Sequence, residues 1–148
     1  MIRDQQALCH ELKATHRAWR RDLSDKLEAV RVPEPNVWER SSAVRYLEQE
    51  FVPRFCREAS AVDAATDLLA PAETVRAWAV GELIKLLRVH LVQLVQMPQS
   101  GAVFARLVTK LLRAFECWCS EVEAVVGSLP PKAVGPDLIR RFEQLPLA

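Results

Sequence analysis

The residues best suited to chemistry lie near the start, in "CHELKATHRAW" (9–19). If this stretch is helical, His10, Lys13 and Arg17 share one side and small Ala14 lies beside them. An exposed imidazole there is a candidate nucleophile, with cations and a small side chain around it. The rest of the chain offers less. Cys9–His10 and Cys117–Cys119 are the close pairs of metal-ligating type, and such near neighbours diverge on a helix. There is no Cys-x-x-Cys, no Glu-x-x-His of the di-iron bundles, no glycine-rich phosphate loop and no nucleophile elbow. No catalytic residue, cofactor or metal is therefore expected. His16 and His90 fall within apolar arcs and are expected to be core histidines hydrogen-bonded to a neighbour.

The order His10-x-Leu12-Lys13-Ala14-Thr15 resembles the phosphoryl-accepting motif of histidine phosphotransfer domains. The resemblance spans these six residues. It implies a four-helix bundle with His10 as the phosphoacceptor. Ala14 stands where that family usually has Gly, and the motif opens the chain where the family places a helix before it. The competing reading of His10 is a surface histidine on a solvated helix.

A second charged feature overlaps the first. Lys13, Arg17, Arg20, Arg21 and Arg31 gather on the back of the same helix and suit contact with nucleic-acid phosphates. Asp22, Asp25 and Glu28 dilute the stripe, and no aromatic series accompanies it for base stacking. A solvated face is the expected role, and nucleic acid is not an expected partner. The net charge of +1 agrees, because it gives the whole chain no strong attraction for anionic partners.

The helices must be read from punctuation and period. Breakers cluster at 32–36, 70–73, 97–101 and 127–136, and between them the apolar spacing is helical throughout. The chain of 148 residues therefore predicts a single all-α domain, 1–148: an antiparallel bundle of four long helices and a short fifth. The expected spans are 3–31, 37–69, 72–96, 101–126 and 136–144. Asn36 and Glu39 form a capping-box variant that opens the second helix. Val44, Leu47, Phe51, Phe55, Val62, Ala65 and Leu69 keep phase across Pro53, which predicts one helix kinked there, with the Gln49 carbonyl left without its donor; two short helices are the alternative. Gly127 is placed to end the fourth helix as a left-handed cap, and Pro136 to open the last. On the fourth helix, Cys117 falls on the polar side and Cys119 at the apolar edge.

One helix is too apolar for an ordinary surface helix. In "AWAVGELIKLLRVHLVQLVQM" (77–97), Ala77, Ala79, Val80, Leu83, Ile84, Leu86, Leu87, His90, Leu91, Leu94, Val95 and Met97 cover about half the circumference. Trp78, Val89 and Val92 lie on the opposite arc among Glu82, Lys85, Arg88 and Gln96. Those charges exclude a membrane span. Two accounts follow. Either this is a central helix whose outer side is covered by Leu138, Ile139 and Phe142 of the last helix, or Trp78, Val89 and Val92 meet a partner chain. The expected function is a non-catalytic helical subunit or adaptor, binding another protein chain (a different chain ahead of a second copy). The start carries acids and no apolar signal core, and four cysteines without a disulfide pattern read as thiols. Both point to an intracellular protein, cytoplasmic or nuclear.

Overall fold

The computed structural model describes residues 2–32, 36–96 and 101–143. Met97 and the expected helix end at residue 144 lie outside the described residues. The described chain is all-α, a helical bundle with a short C-terminal helix. The helices are α1 (Gln5–Leu27), α2 (Val37–Tyr46), α3 (Val52–Thr66), α4 (Thr74–Gln96), α5 (Gly101–Ser128) and α6 (Pro136–Glu143).

Local signals set most of the boundaries. Asp4 accepts from the Ala7 amide at 2.8 Å and opens α1. Asn36 does the same for Glu39 at 2.8 Å and opens α2. Pro136 occupies the first position of α6. Gly127 does not cap α5. The helix runs through it to Ser128, and no described residue adopts positive φ. The end is finished from elsewhere: the Gln5 side chain of α1 donates to the carbonyls of Val126 and Leu129, each at 2.8 Å. The last carbonyls of a helix lack the regular i+4 donor, and the Gln5 side chain supplies one here, so a left-handed glycine is unnecessary.

The predicted second helix is α2 and α3 joined by a π-helical turn, Leu47–Phe51. Within it the Val52 amide donates to Leu47, five residues back. The irregularity thus falls just ahead of Pro53, which sits in the first turn of α3. A proline ring collides with the carbonyl four residues before it in a regular helix, and a wider turn relieves that collision. The chain stays helical across it.

α5 is the core helix, with α1 and α4 packed along it and α3 touching it less extensively. Both neighbours run antiparallel to it. Gln5 at the start of α1 bonds the end of α5, and Arg76 at the start of α4 pairs with Glu121 at 3.1 Å. Trp19, Phe51, Phe55, Phe115 and Trp118 form one aromatic cluster, with neighbouring ring centroids 4.6–6.2 Å apart. α4 is more peripheral than expected. Its buried residues are Val80, Leu87, Leu91 and Leu94, and Leu86 is exposed. Among the described residues no helix is long and apolar enough to cross a membrane.

Candidate functional site

Two places depart from an ordinary helical bundle. The first is inside. His16, on the apolar stripe of α1, is fully buried between two carboxylates. Its Nε2 lies 2.7 Å from Glu58 Oε1 of α3, and its Nδ1 lies 2.8 Å from Glu123 Oε2 of α5. Both nitrogens can donate at once only in the imidazolium, so the geometry selects the charged form. Burial alone would lower the pKa of His16; the hydrogen bonds and charges of Glu58 and Glu123 outweigh it and raise the pKa. Trp118 Nε1 also donates to Glu58 Oε1, at 2.9 Å. The guanidinium of Arg54, one turn before Glu58, stacks 4.4 Å from the Trp19 ring. The cluster therefore clamps α1, α3 and α5. Both nitrogens of His16 are occupied by carboxylates, and Glu58 is sealed from solvent. Among the described residues no group of three His, Cys, Asp or Glu could hold a metal ion.

The second place is the outward side of α4. Val75, Trp78, Leu86, Val89 and Val92 are exposed to 76, 66, 44, 52 and 48 %, and they fall along one stripe. Glu82 and Lys85 lie within it and pair with each other at 3.4 Å. The inner side of α4 is fixed against α5, and Arg76 bonds both Glu73 and Glu121 at 3.1 Å. Past Val92 the stripe continues into an apolar groove of about 390 Å³ between α3 and α4, where Val52, Phe55, Cys56, Leu91 and Val95 meet. α6 does not cover this side. Leu138, Ile139 and Phe142 are buried where α6 packs on α3 and α1. Of the two accounts of α4, covering by the last helix is thus removed.

The other sequence candidates lie away from both places. His10, Lys13, Ala14 and Arg17 are all exposed on α1. Arg21 and Arg31 are exposed as well and Arg20 is half-buried, and Arg20 and Arg31 border a cavity of about 270 Å³ with Arg113 and Glu116. The exposed tryptophans, Trp38 and Trp78, are not on α1, so the basic stripe has no stacking platform among the described residues. His90 is half-buried rather than core. Burial pulls its pKa down, the nearby Gln93 side chain opposes this, and the charge of Lys110 adds to it. Cys117 is exposed and Cys119 buried, as the faces of the helix imply.

No protein-family model, curated protein or solved structure matches the chain.

Sequence reasoning missed Glu58 and Glu123 as partners of His16. Glu58 follows Phe55 by three residues and precedes Val62 by four, which puts a carboxylate on the core stripe. A histidine on the core stripe of one helix and a glutamate on that of another was the readable signal.

Proposed function

We propose that this protein is a non-catalytic helical subunit or adaptor that binds another protein chain through the outward side of α4. Trp78, Val89 and Val92 are the contact residues, with Val75 and Leu86 extending them. The supporting observation is that these five large apolar side chains stand exposed on one stripe of an otherwise well-packed helix. Contiguous exposed apolar surface of this kind costs solubility in a free monomer and is stabilising under a partner. An aromatic anchor with aliphatic neighbours and a polar border is the usual make-up of a protein interface. The four free cysteines suit a reducing, intracellular setting.

Val89→Glu tests this reading. The variant is expected to keep the circular dichroism and melting behaviour of the parent and to lose the protein complexes that the parent forms. A variant that folds normally and keeps every complex contradicts the reading.

A further inference from the structure

Resting on the reading of α4 as a protein-binding face, we infer that the chain it binds is a second copy of itself, paired antiparallel along α4. The first observation is the spacing. Positions 75, 78, 82, 85, 89 and 92 alternate steps of three and four, the a/d seam of a coiled coil. That 3.5-residue repeat keeps one stripe facing a partner helix over residues 75–92, about 27 Å at a rise of 1.5 Å per residue. The outward residues of α4 therefore form a helix-pairing seam as well as an apolar patch.

The second observation is the order along the seam: Val75, Trp78, Glu82, Lys85, Val89, Val92. Turned end for end about the midpoint between Leu83 and Ile84, Val75 meets Val92 of the second copy, Trp78 meets Val89, and Glu82 meets Lys85. Every apolar residue faces an apolar one, and every charge faces its opposite. In the parallel register Glu82 would face Glu82 and Lys85 would face Lys85, which is repulsive. The seam thus matches itself in the antiparallel sense, as a two-fold interface requires. A partner of different sequence would impose no such self-match. Within one chain Glu82 and Lys85 lie 3.4 Å apart, so the paired helices place alternating charges at the centre. Trp78 and Val89 enclose those charges on both sides.

The edges of the seam permit the approach. Gly81 borders it, and a Cβ there would touch nothing within 4 Å, so its backbone is open to a second helix. Leu86 borders the other edge and is exposed. Under the two-fold it shares that edge with Leu86 of the second copy. The rest of the bundle lies behind α4, against α5 and α3. A single two-helix seam is small among stable interfaces, so the dimer is reversible and concentration-dependent.

Sedimentation equilibrium over a concentration series tests this, with circular dichroism as the check of folding. The parent should approach twice the 16.8 kDa chain mass as concentration rises. Glu82→Lys alone gathers like charges at the centre, as does Lys85→Glu alone, and each variant should remain a monomer over the same range. An equal mixture of the two variants should recover the dimer, because each supplies the charge the other lacks. The double exchange, E82K with K85E, should restore self-association within one chain. A parent that stays monomeric throughout overturns the inference; so does a dimer that survives both single reversals. The two readings fail separately. A monomeric parent whose other protein complexes are lost in Val89→Glu removes the second copy and leaves the α4 face as a binding surface. A dimer that persists in Val89→Glu as well as in both reversals removes both.

Discussion

The α1–α3–α5 interior and the outer side of α4 treat polar and apolar groups in opposite ways. Inside, a histidine and a glutamate with no solvent access are held by direct hydrogen bonds, and the aromatic cluster packs beside them. Outside, large apolar side chains stand in solvent around the Glu82–Lys85 pair. The interior arrangement costs desolvation, which only matched partners repay. The exterior one forgoes burial that the bundle itself does not provide. The contrast separates what holds this fold from what it presents: the interior fixes α5 and its neighbours, and α4 displays a stripe left exposed among the described residues.

The largest expected effect comes from breaking the interior. His16→Ala leaves Glu58 buried without its cation and should cost about 3–5 kcal/mol. Urea denaturation measures it directly, and a loss below about 1 kcal/mol would mean that the cluster is solvated or rearranged. The same cluster sets a pH dependence. His16 has a folded-state pKa above its unfolded value near 6.5. Its stabilisation is therefore fully present below about pH 6.5 and is lost as pH rises through the raised folded value. A denaturation midpoint that falls on going from neutral to alkaline pH in the parent, but not in His16→Ala, is the expected result. An identical pH slope in both would assign the dependence to other groups.

Smaller effects belong to the exterior. Val92→Glu and Val89→Glu place a charge on the solvated side of α4 and should change monomer stability by no more than about 0.5 kcal/mol. A loss of several kcal/mol would show that the stripe is covered within the chain. The thiols sharpen the same boundary without altering the fold. Cys56 and Cys117 are exposed, Cys9 is half-buried, and Cys119 is buried with its pKa pushed well up by burial. A thiol reagent should modify Cys56 and Cys117 first and Cys119 last. Slow modification of Cys56 alone would indicate that something covers the α3–α4 groove.

The fold was legible where local rules act alone. Helix starts at Asn36 and Pro136, the core stripe of α1 and the split faces of α5 follow from capping and period. The features that escaped depend on contacts between distant residues. Gly127 looked like a cap because the Gln5 side chain that serves the end of α5 comes from the far end of the sequence. Pro53 marked where the second helix becomes irregular, and the wide turn Leu47–Phe51 lies just ahead of it. Leu86 was placed inside because periodicity counts apolar neighbours and cannot tell which side a peripheral helix turns inward. For the candidate site, the sequence isolated Trp78, Val89 and Val92 as misplaced on a polar arc. The His16 cluster required three helices to converge, so only its two core-phase members were readable.

Hydroxyl-radical footprinting of the assembled protein, comparing Trp78 with Trp38, tests the central claim most directly. Both indoles are exposed in the isolated chain, and Trp38 lies on α2, away from the α4 stripe. Binding through α4 predicts that Trp78 is protected in the assembly while Trp38 stays reactive, and that Val89→Glu returns Trp78 to the reactivity of Trp38. Equal oxidation of both tryptophans in the intact assembly would contradict it.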